Sequence, residues 1–189
     1  MAFLGPLRYT LLALLAAAAL AAAAPVLAQD LVDEGRLDLL FAELAYALDE
    51  EEAQDVTNEI WDVWTHPDDP DLAELMDQSA LFSQTGQLDE AIAVLNQVVA
   101  DWPHYAEGWN RRATLNYVIG NFDAALDDIA EALAREPRHF GALSGRMEIE
   151  LALGEDESAR ATMMEALHIH PFLAGRERFP GLPQPMLRL

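Results

Sequence analysis

The chain contains no cysteine and no lysine, although 33 of its 189 residues are acidic. Without cysteine there is neither a disulfide framework nor a thiol nucleophile, so helix or sheet packing alone must hold the fold. Arginine supplies all the fixed positive charge, and the formal net charge is −22. Such a surface repels nucleic-acid phosphates and anionic membranes. A basic partner or divalent cations are compatible with it, but the simpler interpretation is a solvated acidic surface.

Sequence motifs of catalysis are also missing. The chain has no Gly-x-Ser-x-Gly motif and no glycine-rich phosphate loop. Carboxylates are so numerous that no pair stands out as an acid/base couple. His168 and His170 lie two positions apart on a predicted helix, where they point to different sides, so a shared metal is not expected. We therefore expect no enzyme activity, no cofactor and no metal site.

The first 28 residues have the pattern of a secretory signal peptide. Arg8 precedes an apolar run, and Pro25 breaks that run before small residues that end at Ala28. We expect cleavage after Ala28 and an exported, periplasmic protein without a membrane anchor. The alternative is an uncleaved leader that anchors the chain, because the apolar stretch is nearly long enough to span a bilayer.

Glycine, alanine and proline recur at a spacing of 34 residues. The recurring residues are Gly86, Gly120 and Gly154, then Ala91, Ala125 and Ala159, then Pro103, Pro137 and Pro171. In register, the units are 72–105, 106–139 and 140–173. Apolar residues at helical spacing fall on both sides of each glycine, so each unit is predicted to be a helix, a tight turn and a second helix. The proline ends the second helix.

These units resemble the tetratricopeptide repeat family, whose repeat has this length and punctuation. The middle unit fits best, but Arg112 stands where leucine is usual and Asn116 where an aromatic is usual. In the third unit, Glu150 and Asp156 replace apolar residues, which suits a terminal repeat without a further neighbour. The resemblance implies an all-α, right-handed α-solenoid.

Two further segments flank the repeats. Residues 29–71 hold 15 acids and one arginine, and their apolar stripes predict two helices, with a capping box at Asp49 and Glu52. They lie outside the 34-residue register, so we interpret them as a degenerate helix pair that covers the open N-terminal edge of the solenoid. Residues 174–189 are proline-rich and irregular, and we expect a packed end piece or a mobile tail.

The resemblance also implies a function. In this family the first helix of each unit lines a concave groove that binds a partner. Carried onto this sequence, the groove positions are Met76, Ala80, Ser83, Asn110, Thr114, Tyr117, Ser144, Glu148 and Leu151. None is basic, which argues against a clamp for a C-terminal carboxylate and favours an extended or helical partner segment. An ordinary concave surface without a ligand is the alternative.

The function expected from sequence is therefore a non-enzymatic scaffold or adaptor of the cell envelope that binds a protein or peptide. A membrane-anchored accessory subunit of an envelope-assembly complex is the alternative, and it follows if the leader is retained.

Overall fold

The computed structural model describes residues 34–182, and the regular structure in that range is entirely helical. The helices are α1 (34–46), α2 (Glu50–Thr65), α3 (Pro70–Gln84), α4 (Leu88–Asp101), α5 (Ala106–Val118), α6 (Phe122–Arg135), α7 (Phe140–Ala152) and α8 (Asp156–Ile169). A 3₁₀ turn, Arg176–Arg178, follows them. The predicted all-α solenoid is confirmed. The expected leader and its cleavage site after Ala28 lie outside the described residues.

Two compact units are distinguished, Met1–Leu40 and Phe41–Leu189. The first contributes only the start of α1 to the described residues, and the second contains everything from Phe41 onward. Within residues 34–182, no helix has both the length and the hydropathy that a bilayer span requires.

Helices α3 to α8 form three antiparallel pairs, α3 with α4, α5 with α6 and α7 with α8. The turn inside each pair depends on a glycine with positive φ, 78° at Gly86, 80° at Gly120 and 78° at Gly154. The residue after each glycine donates its N–H five positions back, as Asn121 does to the Asn116 carbonyl at 2.8 Å. This closes the helix end with a Schellman motif, and the tight turn lies where the sequence predicted it from the glycines.

Adjacent pairs stack through a continuous apolar core. Leu95 and Val98 of α4 pack against Leu115 of α5, and Ile129 of α6 packs in one cluster with Ile149 of α7. Each repeat therefore buries its apolar face on the next one, and neighbouring repeats supply stability that a short helix alone lacks.

The N-terminal edge of this stack is open. Leu115 and Ile149 are 7% and 0% exposed, but Leu81, the equivalent residue of the first unit, is 60% exposed. Leu81 lies where a preceding repeat would pack. From the sequence we expected the segment ahead of the repeats to cover this edge, but α2 packs against α5 and α7 instead.

The C-terminal edge, by contrast, is closed by the chain itself. Phe179 and Leu182 are buried against Met147, Ala159 and Met163. The described part of the tail is therefore the packed end piece, one of the two expected alternatives.

The polar residues that depart from the family pattern form hydrogen-bonded networks between helices. Arg112 reaches both oxygens of Asp128, at 2.9 and 2.6 Å, and also donates to Asn96 at 2.8 Å. Asn116 donates to the same Asp128 carboxylate at 3.1 Å. Four polar side chains thus satisfy one another at the seam between α4, α5 and α6.

The third unit repeats this arrangement with the carboxylate moved to the first helix. Arg146 donates to Thr162 at 3.1 Å, and Thr162 donates to Glu150 at 2.7 Å. Glu150 also lies 3.8 Å from Arg146 as an ion pair. Glu150 is therefore a member of an internal network, and its polarity does not depend on the unit being terminal.

Candidate functional site

The candidate site is the surface formed by the first helices of the three pairs, α3, α5 and α7, which we call the first-helix face. Among these pairs, α5 packs directly on α7, and no comparably close contact joins α4 to α6 or α6 to α8. Between the second and third pairs, the first helices therefore lie closer together than the second helices do. In this part of the stack the first-helix face is the inner side, where a groove is expected.

Five of the nine predicted groove residues line one half of this face. They are Ala80, Ser83, Thr114, Tyr117 and Leu151, and we call them the open half. Thr114 is exposed, and the other four are half-buried. The Thr114 hydroxyl donates to the Asn110 carbonyl at 3.0 Å, and the Tyr117 ring stacks on Phe122 with centroids 5.7 Å apart. This surface offers a hydroxyl, an aromatic edge and small apolar groups.

Of the other four predicted residues, two are buried and one is paired with the tail. Met76 is 2% exposed and belongs to the core with Leu95, so its side chain is not available to a partner. Asn110 is buried and donates to Glu107 at 2.8 Å. The remaining two are half-buried, Ser144 donating to its own helix and Glu148 pairing with Arg178 of the tail.

Helix α2 lies against the other half of the first-helix face, across the starts of α5 and α7. The indole of Trp61 meets Phe140 edge to face, with centroids 5.5 Å apart and an angle of 89°. Trp61 also lies against Gly141, where a Cβ would come within 2.6 Å of the indole. Trp64 stacks on His139. Glycine at position 141 is thus required for the indole to approach the helix so closely.

Two polar contacts add to these ring contacts. The Tyr105 hydroxyl donates to the Trp64 carbonyl at 2.7 Å, and Thr57 lies 2.9 Å from Nε2 of His170. The Thr57 hydroxyl already donates to the Ala53 carbonyl at 2.6 Å. Nε2 of His170 is therefore the donor of this pair, which places the proton of the neutral imidazole on Nε2.

We call the solenoid residues that α2 contacts the α2-contact surface. Its members are Tyr105, His139, Phe140, Gly141 and His170. They lie at the starts of α5 and α7 and at the end of α8, so the second and third helix pairs contribute to one surface.

A buried charged group lies directly beneath this surface. Glu107 is 4% exposed and takes part in hydrogen bonds with Asn110, Arg111 at 2.9 Å and His139 at 3.2 Å. Burial by itself raises the pKa of the Glu107 carboxyl, but the hydrogen bond from His139 and the charge of Arg111 hold that pKa below its ordinary value. The carboxylate thus stays ionised and fixes His139.

Burial also shifts two groups on the α2-contact surface. Desolvation, with the nearby Glu107 charge, raises the pKa of Tyr105, so this phenol stays protonated as a donor. Desolvation lowers the pKa of His170 from 6.5 to about 4, which keeps the imidazole neutral near pH 7. Tyr105 and His170 thus keep the protonation states in which they donate their hydrogen bonds. The two groups do not form an acid/base pair that faces solvent.

The described residues were also compared with the features of a metal site and of a small-molecule site. Within residues 34–182, no three His, Asp or Glu side chains are grouped so as to hold a metal ion. A hollow beside α2 is lined by six carboxylates, from Glu43, Asp49, Glu51, Glu52, Asp55 and Glu59, with Val56. It lacks the apolar lining that small-molecule sites use.

Sequence reasoning missed the α2-contact surface. The only local signals were the pair Trp61 and Trp64, one helical turn apart, and a glycine at position 141 inside a helix.

Comparison with known proteins agrees with the repeat architecture. The family model for the tetratricopeptide repeat matches residues 77–130 and 112–174. A TPR repeat-containing protein of Rhizobium etli is 38% identical over 136 residues, which cover 72% of this chain and 67% of that protein. The family match begins within α3 and runs past α8, and α2 lies ahead of it.

Proposed function

Because the chain belongs to the tetratricopeptide repeat family, we propose that it is a non-enzymatic scaffold that binds a protein segment in the open half of its first-helix face. Repeats of this family generally mediate protein–protein interaction. The finer proposal rests mainly on one observation. Helix α2 covers only the starts of α5 and α7, and Thr114 near the middle of α5 is exposed.

The chemistry of the open half indicates the kind of segment that fits. Its hydroxyls and the aromatic edge of Tyr117 suit main-chain and apolar contacts, and none of its members is charged. The solenoid as a whole is acidic, so a neutral or basic segment is favoured over an acidic one. An extended or helical peptide laid along the face matches a common mode of peptide recognition.

We also propose that the protein is exported and works in the periplasm after cleavage following Ala28. The signal-like pattern of residues 1–28 supports this location. The mass of the protein purified from its native cells tests it, because a cleaved chain begins at Gln29. A full-length mass would favour the anchored alternative.

Site-specific photo-crosslinking in the native cell tests the binding face. A photoreactive amino acid at Thr114 should give a discrete adduct with a partner. The matched control places it at Ala134, which is exposed on the second helix α6. No adduct from Thr114, or the same adducts from both positions, would contradict binding at the open half.

A further inference from the structure

We propose that α2 is a displaceable occupant of the first-helix face, and that a basic amphipathic helix of the partner, with two aromatic residues one turn apart, takes its place on the α2-contact surface. This inference deepens the proposed function, on which it rests, by naming the chemistry of the partner.

The contact between α2 and the solenoid has the form of a helix bound in a groove. The buried side chains of α2 are Ala53, Val56, Thr57, Ile60 and Trp64. Of these, Thr57 and Trp64 contact the solenoid, and Trp64 also meets Phe41 of α1. The spacing of the buried side chains is that of one stripe along a helix, the pattern by which helical ligands bind grooves in other proteins. The α2-contact surface therefore already accommodates a helix, and a partner helix with the same stripe would fit it.

The contact between α2 and the solenoid leaves some buried polar atoms without a hydrogen bond. Among the described residues, two buried side-chain polar atoms have no hydrogen-bond partner, Nε1 of Trp64 and Nδ1 of His170. Both belong to the contact between α2 and the solenoid. A buried polar atom that gives up water without a replacement partner opposes the contact. The least satisfied part of the described structure is thus the place where α2 binds.

Charge also opposes the present occupant. Helix α2 carries six acids and neither arginine nor lysine, and residues 70–182 carry 19 acids and eight arginines, a net charge of −11. The two segments thus carry net charge of the same sign, which opposes their association overall and more strongly at low salt. A helix with the same apolar stripe and basic residues in place of the acids replaces that repulsion with attraction.

The connection to the solenoid permits α2 to leave without unravelling the repeats. Only residues 66–69 separate α2 from α3. Asp69 caps α3 by itself, accepting from the N–H groups of Asp71 at 2.9 Å and Leu72 at 3.1 Å, and Pro70 begins the helix. Since the cap lies within α3 and its linker, the first repeat keeps its start when α2 moves away.

A designed peptide tests the proposal on the full chain. The probe is a labelled 16-residue peptide with the sequence of α2 and lysine in place of its six acids. A scrambled peptide of the same composition is the control for bulk charge. We expect the probe to bind, and the scrambled peptide to bind at least about tenfold more weakly, because only the probe carries the apolar stripe. Equal binding of both peptides would overturn the proposal.

Weakening the contact between α2 and the solenoid should increase the affinity of the probe peptide. In the Trp64→Ala protein, the probe should bind on the order of a hundredfold more tightly, since the competing state of α2 is less populated. Unchanged or weaker binding by this variant, with its helix content intact by circular dichroism, would show that the probe binds elsewhere.

Hydrogen exchange of the wild-type chain gives a second readout that needs no variant. At saturating probe, the amides of α2 should lose protection while those of α5 to α8 keep it. Continued protection of α2 in the bound state would overturn displacement. The peptide arms need no cellular partner, so they stand or fail separately from crosslinking at Thr114.

Discussion

The indole of Trp64 lies flat on the imidazole of His139, with ring centroids 4.1 Å apart and only 6° between the ring planes. His139 also begins α7, because its Nδ1 accepts the Ala142 N–H at 3.1 Å. Its other nitrogen faces Glu107 at 3.2 Å. One imidazole therefore starts a repeat helix, anchors a buried carboxylate and supports α2, which couples the N-terminal helix to the repeat array.

Loss of the Trp64 side chain should release α2 more than it disturbs the repeats. Trp64→Ala removes a buried aromatic that contacts His139 and Phe140 of the α2-contact surface, at a cost of about 3 kcal/mol. The amides of α2 should then exchange on the order of a hundredfold faster, since each 1.4 kcal/mol is a factor of ten. Hydrogen exchange followed by mass spectrometry measures this directly.

The matched control is Leu48→Ala, because Leu48 lies ahead of α2 with 57% of its surface exposed. Its effect on exchange should be small. If Trp64→Ala leaves α2 as protected as this control does, the ring contacts do not hold the helix.

Replacing glycine by alanine should lower the stability of the fold at position 120 and raise it at position 145. Gly120→Ala should destabilise by about 1 kcal/mol, because φ at this turn is 80° and an added Cβ resists that conformation even though the space is empty. Gly120→Val should cost more, since a β-branched residue resists positive φ further. Gly145→Ala lies inside α7, where the added Cβ meets Ile129 at an ordinary 3.5 Å, and should stabilise by up to about 1 kcal/mol.

Thermal or urea unfolding of the three variants measures whether each substitution raises or lowers the free energy of unfolding. A Gly120 variant that unfolds like the parent chain would mean that the turn lies elsewhere, while a destabilised Gly145→Ala would place a tighter contact at α7 than the structure shows.

The repeat architecture could be predicted from sequence because its determinants are local. Gly120 ends α5 by its own backbone conformation, and the apolar stripe of each helix follows from spacing within a dozen residues. The capping box was predictable for the same reason, and the Glu52 N–H does donate to Asp49 at 2.9 Å. Its reciprocal bond comes from the Leu48 N–H instead of that of Asp49.

The position of α2 could not be predicted in this way. The contact of Trp61 with Gly141 joins distant parts of the chain, and no periodic pattern connects them. One apolar stripe on α2 fits either placement, a degenerate repeat at the N-terminal edge or a helix on the first-helix face. The two placements differ in the residues that the stripe contacts. In the structure these are His139 and Phe140.

Replacing Arg112 by the residue usual in the family should destabilise the chain. Arg112→Leu leaves the Asp128 carboxylate, whose side chain is 5% exposed, without its cation, and a broken pair of this kind costs on the order of 3 kcal/mol. Urea unfolding measures the loss. A variant as stable as the parent would show that water or Asn116 alone satisfies Asp128.

The first repeat of the chain provides the matched rescue. Its residues equivalent to Asn116 and Asp128 are Phe82 and Val94. Adding Asn116→Phe and Asp128→Val to Arg112→Leu leaves only the exposed Asn96 of the network. This should restore most of the lost stability, because an apolar replacement of a buried pair is often neutral or stabilising. A triple variant less stable than the single one would show that the network sets the helix spacing.

Acid should weaken the fold through His170. In the folded chain burial lowers its pKa to about 4, whereas the unfolded chain keeps the ordinary value of 6.5. Between these values the unfolded state binds a proton that the folded state does not, so the free energy of unfolding decreases as the pH falls from 6.5 to 4. The full effect is about 3 kcal/mol, and the stability is complete above pH 6.5.

The His170→Gln variant isolates this contribution, because an amide can still donate to Thr57 but does not titrate in this range. The many carboxylates titrate in both proteins, so their contribution to the pH dependence of stability cancels when the two are compared. Urea unfolding at pH 7 and at pH 4.5 should therefore show a larger loss for the parent chain than for the variant. Since His170 contacts α2 through Thr57, the extra loss should appear first as faster hydrogen exchange in α2. Parallel pH profiles for the two proteins would rule out a buried neutral imidazole at this contact.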